Sequence, residues 1–295
     1  MARPTNQSND YDFHVETVPL QTVDGQKAGW FANRRTDTND ILGVATEHYG
    51  VVQNADLIDK AEDTFKRNGL NNYKRNVIVS GNGSRMRAQY DFADESIKIP
   101  KVGDEMGFRL MVNNSFDRSL RVSFELGMLR LVCTNGMKTL EKEFGLTRKH
   151  SSKINIDDLI TDDALTKALA NFKKAGNVFS RLADVDISQV SGLTILQNLT
   201  RKNVLSEKVR ENVATLWNVP THAEDEGRNL YNLYNALTQH LSSEVADERF
   251  EYSDRVNSQV LRSLDRASRG GATLKKLTTA HEDDLEKIEL QLAAN

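Results

Sequence analysis

Cysteine is almost missing from this chain. Cys133 is the single one in 295 residues, so no internal disulfide can hold the fold and the disulfide-stapled secreted scaffolds are excluded. Proline is scarce too, at four, which leaves long stretches able to run as helix or strand. No segment reaches the roughly 20 apolar residues that a membrane-spanning helix needs, and Met1 to His14 carries no apolar run of the secretory kind. The expected location is the cytoplasm, with no membrane partner. The histidines are His14, His48, His150, His222, His240 and His281; none stands at ligand spacing from a second His or Cys. There is no Gly-Lys-Ser/Thr phosphate loop and no Gly-x-Ser-x-Gly nucleophile turn. No metal, cofactor or catalytic residue is therefore expected, and the chain reads as a binding protein rather than an enzyme.

What is present is a segregation of charge. The whole chain carries −3, but residues 66–153 hold 17 Lys and Arg against nine Asp and Glu, a net +8, which leaves −11 for the rest. Solubility alone gives no reason for such an asymmetry, whereas binding to a polyanion does.

The periodicity divides the chain into strands first and helices second. Strand character marks His14–Leu20, Lys27–Ala32 and Ile41–Glu47, the last continuing through Tyr49–Gln53 with Gly50 as a bulge. Asn54 is placed as the N-cap of a helix carrying Leu57, Ile58, Ala61 and Phe65 on one face, with Gly69 stopping it. From Lys74 to Cys133 the alternation is that of a sheet. Met86, Ala88, Tyr90 and Phe92 share one face of a strand, and Phe108, Leu110 and Val112 one face of the next. Leu120, Val122, Phe124 and Leu126 do so in a third, after which Gly127 is expected to break the register. Asn82-Gly83 signals a tight turn. Beyond Asn155 the period is helical, with helices starting near Asp162, Ser188, Ser206, Glu226 and Ser253. The expected fold is α+β: an antiparallel β-rich N-terminal half with one early helix, then a helical half. The expected domains are a basic β-rich domain over 1–153, a helical subdomain over 154–269, and a flexible acidic segment over 270–295 behind the Gly270-Gly271 hinge.

Arg85, Arg87, Arg109, Arg121 and Arg130 fall on the non-core parity of successive strands. If those strands are neighbours, the arginines form a basic sheet face, with Lys74 and Arg75 at its rim. Arginine suits phosphate because its planar fork donates two hydrogen bonds at once. Tyr73, Tyr90, Phe108 and Phe116 lie nearby in sequence as stacking surfaces, the combination that single-strand binders use. The competing reading is a solvated face whose arginines pair with Asp91, Asp117 or Glu125 across strands. Cys133 has the neighbours of a buried strand end and no paired histidine. Asp157-Asp158 and Asp162-Asp163 read as helix N-terminal charge rather than metal ligands.

Several segments resemble a known family. They are Ile41-Leu42-Gly43-Val44 through Tyr49 and Val52-Gln53-Asn54, Asn113-Asn114-Ser115-Phe116-Asp117, Leu129-Arg130-Leu131-Val132-Cys133-Thr134-Asn135, Arg148-Lys149-His150, and Leu233-Tyr234-Asn235-Ala236-Leu237-Thr238. In this order, from about Asp40 to Gln239, they are similar to the phage/plasmid-like family catalogued as domain of unknown function 932. Two departures stand out. Asn135-Gly136 replaces the family's Asn-Thr, and Asp117-Arg118-Ser119 replaces its Asp-Gly-Ser turn, adding a positive charge at Arg118. The resemblance implies a mobile-element origin and a bacterial host cytoplasm, and implies no activity. At the level of fold it is similar to phage single-strand annealing proteins, a likeness of fold and not of site.

The reading is a phage-type nucleic-acid-binding protein, for single-stranded DNA binding or annealing, able to act as a homo-oligomer. Its candidate contacts are Lys74, Arg75, Arg85, Arg87, Arg109, Arg118, Arg121 and Arg130. The alternative is a non-enzymatic protein that modulates a host protein, docking through Glu226–Leu241 with Tyr231 and Tyr234. An enzyme would have to use Cys133, His150 and Asp157.

Overall fold

The computed structural model describes residues 10–131, 136–138 and 145–293; Cys133 lies outside them. The architecture is α+β; among the described residues nine strands precede the helical half, with one early helix among them. The first sheet is β1 (Val15–Gln21), β2 (Lys27–Arg35) and β3 (Ile41–Ala45), antiparallel in that order. The expected strand over Tyr49–Gln53 is absent, and the chain there is an extended connection. A Cβ on Gly50 would meet the Ser151 carbonyl oxygen at 2.1 Å, so this glycine serves a close approach rather than a bulge.

Helix α1 (Asn54–Arg67) follows. Its N-cap is Gln53, one residue before the expected Asn54, and no side chain caps it. The Gln53 amide is engaged elsewhere: its Oε1 accepts from the Val15 backbone N–H at 3.0 Å and its Nε2 donates to the Val15 carbonyl at 2.8 Å. Gly69 ends the helix at φ +76°, as its placement predicts.

The second sheet contains β4 (Lys74–Ser80), β5 (Arg85–Ile99), β6 (Asp104–Ser115), β7 (Val122–Arg130) and β8 (Gly136–Lys138) in spatial order, with β9 (Gly145–Arg148) on β7. The expected parity holds: Met86, Ala88, Tyr90 and Phe92 are all buried. Gly127 does not interrupt β7; the space of its missing Cβ is taken by the side chains of Met111 and Arg109. Asn82 and Gly83 turn the chain with φ of 57° and 96°.

The chain forms two compact units that do not follow the expected cut near residue 153. One comprises residues 1–94, 108–127 and 142–171, and the other 95–107, 128–141 and 172–295, so β5, β6 and β7 each contribute to both. The core of the first unit is α1 against its strands. Phe65 has ring-centroid distances of 4.9 Å to Tyr90, 5.3 Å to Phe92 and 6.3 Å to Phe124. A smaller cluster of Phe13, Val15, Leu42 and Phe116 sits under the first sheet.

The second unit carries most of the helices. They are the later part of α2 (Asp162–Asp184), then α3 (Gln189–Arg201), α4 (Glu207–Asn218), α5 (Leu230–Ser243), α6 (Phe250–Ser268), α7 (Gly271–Thr278) and α8 (Leu285–Ala293). Ser188 caps α3 and Ser206 caps α4 through their side chains. Two starts are corrected: α5 is capped by Asn229, and α6 begins at Phe250, which places Ser253 inside the helix. The segment expected to be a flexible tail is fastened to α3. Asn198 donates to the carbonyls of Leu277 and Thr279, Gln197 donates to Asp284, and Arg201 pairs with Asp283 and Asp284.

Phe65 is fully buried among four aromatic rings. Its replacement by alanine is expected to lower stability by about 3–5 kcal/mol, read as a lower urea midpoint in equilibrium unfolding.

Candidate nucleic-acid interface

Of the five arginines of the expected basic face, Arg85, Arg87, Arg109 and Arg130 are engaged by partners inside the protein, and Arg121 is exposed. Arg87 is only 4% exposed, and its Nε donates to Asn113 Oδ1 at 2.7 Å. Asn113 continues the ladder to Ser123 at 2.8 Å, and Ser123 donates to Glu125 at 2.7 Å. Arg109 holds Asp91 with both fork nitrogens, Nη2 at 2.8 Å. Arg85 lies 3.7 Å from Asp117, and Arg75 lies 2.7 Å from Glu62 of α1. Lys74 is exposed at the start of β4, opposite Asp91 in the register. Of the pairings weighed against the basic face, Arg109 with Asp91 and Arg85 with Asp117 are present. The aromatics expected to stack bases are also committed: Tyr90, Phe108 and Phe116 are fully buried. Tyr73 packs on Phe65, and its hydroxyl pKa is pushed up to about 12 by burial and the nearby Glu62.

Arg130 departs furthest from the expectation. It is fully buried in the second unit. Its Nε and Nη2 grip Asp104 at 2.7 and 2.9 Å, and its Nη1 reaches Asp225 at 2.8 Å. Asn235 donates to the other oxygen of Asp225 at 2.9 Å. Tyr231 stands beside the pair; burial, reinforced by the Asp104 charge, raises its hydroxyl pKa well above the ordinary value. An arginine this deep is a structural clasp, since only fully satisfied partners offset its desolvation. Tyr231 and Tyr234 are fully buried as well, so α5 is not the docking surface expected for a host protein.

The first unit has its own polar node, built from the Asn113–Asp117 motif. Asn114 Nδ2 is shared between the Val52 carbonyl and Asn54 Oδ1, each at 2.8 Å. The Ser115 carbonyl accepts from the Tyr49 hydroxyl at 2.7 Å. The Phe116 carbonyl accepts from Asn33 Nδ2 at 2.7 Å. Asp117 accepts from Ser84 and from both the N–H and the hydroxyl of Ser119. Tyr49 stacks on His150 with centroids 4.7 Å apart, and His150 Nδ1 lies 3.1 Å from the Gly50 carbonyl. Burial lowers the His150 pKa. Of the residues an enzyme would need, His150 is thus held by Tyr49 and Gly50, and Asp157 pairs with Lys60.

Sequence reasoning gave no place in a buried polar node to Tyr49, Asn33, Asn54 or Asp225. One signal was available: Asn113-Asn114-Ser115 places polar residues on both parities of a strand, which a half-solvated sheet does not explain.

Four exposed cations gather elsewhere. The turn between β6 and β7 contains Arg118, exposed and in the left-handed region at φ 69°. Asp117 supports this geometry by closing the turn onto Ser119. Arg121, also exposed, directly precedes Val122, and Val122 pairs with Arg148 at the end of β9. Arg148 and Lys149 are exposed. Arg118, Arg121, Arg148 and Lys149 therefore share one end of the sheet. Among the described residues no group of three or more His, Cys, Asp and Glu could hold a metal ion, and no helix is long and apolar enough to cross a membrane.

Fold and site together define an α+β protein with two buried polar nodes and a cationic sheet end. The chain belongs to the family described as domain of unknown function (DUF932), whose profile matches residues 41–268. No curated protein and no solved structure matches the chain.

Replacing Arg130 by methionine strands Asp104 and Asp225 in the interior. It is expected to cost about 3–5 kcal/mol, much of which returns when both aspartates are also made asparagine; urea denaturation of the two variants checks this. His150 has a second consequence. Its folded pKa lies below 6.5, so the unfolded chain takes up a proton that the folded chain refuses. Stability is then complete above pH 6.5 and falls as the pH drops from there toward the folded value. His150→Gln is expected to flatten that decline, measured as thermal midpoint against pH.

Proposed function

We propose that this chain is a non-enzymatic nucleic-acid-binding protein that prefers single strands and engages them through the cationic sheet end of its first unit. The observation that carries the reading is the convergence of Arg118, Arg121, Arg148 and Lys149, all exposed, on the β6–β7 turn and the end of β9. Arginine forks on a turn are suited to phosphate oxygens, and clustering them raises the local positive potential. The +8 excess of residues 66–153 supports a polyanionic partner. The first unit also carries Trp30, 44% exposed on β2, as a surface on which an unpaired base can stack. The proposed setting is the cytoplasm of a bacterial host, in line with the resemblance and with a single cysteine.

A second reading, docking of a host protein, moves from α5 to the first sheet, where Trp30, Ile41 and Val44 are exposed. The two readings differ in their dependence on salt, because binding to phosphates releases counterions.

The test is a fluorescence-anisotropy titration with a labelled single-stranded oligonucleotide over a salt series, with a duplex control. Alanine at Arg118, Arg121, Arg148 and Lys149 together is expected to remove roughly 3 units from the slope of log affinity against log salt, at ~0.7 for each phosphate that is no longer neutralised. Alanine at the paired Arg109 is expected to leave the slope in place. Absence of binding at low salt, or a slope that ignores the four substitutions, removes the reading.

A further inference from the structure

Strand β4 ends the second sheet. It is hydrogen-bonded to β5 on one side, from Lys74↔Asp91 to Ser80↔Arg85 without a bulge. Among the described residues, no backbone group of residues 74–80 pairs outside that ladder. Edges of this kind are normally blunted by proline, bulges or charge. In the first sheet the edge strand β1 shows the usual devices, with Pro19 and a register shift between Pro19 and Gln21. Strand β4 has neither device, and after Arg75 it carries no charge: Asn76, Val77, Ile78, Val79 and Ser80 follow. Its three β-branched residues in succession favour extended pairing.

We propose that two copies of the chain pair antiparallel along β4, about a two-fold axis through Val77. The sequence of the strand is suited to its own copy. In this register Val77 faces Val77, Asn76 meets Ile78, Arg75 meets Val79 and Lys74 meets Ser80, so every residue of the strand is paired and both cations face neutral side chains. Moving the axis to Arg75 would oppose two guanidinium groups, which is unfavourable between directly facing strand residues. The interface is isologous and closes as a dimer instead of growing into a filament. It rests on the edge of β4 alone and stands apart from the nucleic-acid reading.

The test uses the full chain. Wild type is expected to sediment as a dimer that dissociates on dilution. Val77→Lys and Val77→Glu, each of which opposes like charges at the axis, are expected to be monomers alone and to form mixed dimers when combined. A second pair of variants does not depend on tolerating a charge. Facing residues on antiparallel strands have Cα atoms about 4.5–5.5 Å apart, inside the ~4.4–6.8 Å that a disulfide spans. Val77→Cys is therefore expected to yield an oxidised covalent dimer. Lys74→Cys is not, because its two copies lie roughly 20 Å apart at ~3.4 Å per residue; wild type controls for Cys133. A chain that is monomeric at every concentration overturns the proposal. So does a dimer that persists in both charge variants, or one in which Val77→Cys fails to cross-link.

Discussion

Burying a polar group is costly unless it is hydrogen-bonded, and this fold is organised around buried polar side chains that are bonded to distant segments. Arg130 in the second unit is the clearest case. Its three hydrogen-bonding nitrogens face two carboxylates, and one of those carboxylates is further held by Asn235. The residues that close this clasp come from β6, from β7, from the turn before α5 and from α5 itself. None of these elements can slide without leaving a charge unmet in the interior. The clasp thus fixes the register of strand and helix more sharply than apolar packing does, because an apolar contact tolerates a small displacement and a bidentate ion pair does not.

The first unit uses neutral groups to the same end. Asn33, Asn114 and Tyr49 each send a side-chain donor to a backbone carbonyl in another segment, and Gln53 satisfies both backbone groups of Val15. These bonds tie β1, β2 and the connection before α1 to β6 and the turn that follows it. That connection has no ladder of its own, and its Val52 carbonyl is met by a side chain, that of Asn114. The same demand explains why α1 has no side-chain cap: Gln53, at the capping position, is engaged with β1.

What was legible in the sequence is what local rules govern. The apolar stripe of α1, the inward parity of Met86, Ala88, Tyr90 and Phe92, the Asn82-Gly83 turn, and the caps Ser188 and Ser206 each depend on a few neighbouring residues. What was not legible depends on register between distant segments. Arg109 and Asp91 are 18 positions apart, and Arg130 and Asp225 are 95 apart. Parity placed Arg109 on the correct face and could not say that Asp91 would stand beside it. The helix expected from Glu226 starts later for a similar reason: Asp225 sits in the turn before α5 because Arg130 holds it, and Asn229 then caps the helix. The acidic C-terminal segment read as flexible, whereas Asp284 is an acceptor for Gln197 and Arg201.

A charge count over a segment does not depend on register, but the identity of its carriers does. Part of the +8 over residues 66–153 is answered by acids outside that span: Arg67 by Asp162, Arg75 by Glu62, Lys101 by Asp186 and Arg130 by Asp225. Arg85 and Arg109 are answered from within the span, by Asp117 and Asp91. Such pairing within the span leaves its total unchanged, so the excess must rest on cations that the folded chain keeps at its surface. Arg118, Arg121, Arg148 and Lys149 meet that description on a turn and a strand end. A turn is therefore the place where this fold retains positive charge, and the arginine at position 118, in a backbone conformation that favours glycine, places one more cation there at a conformational cost.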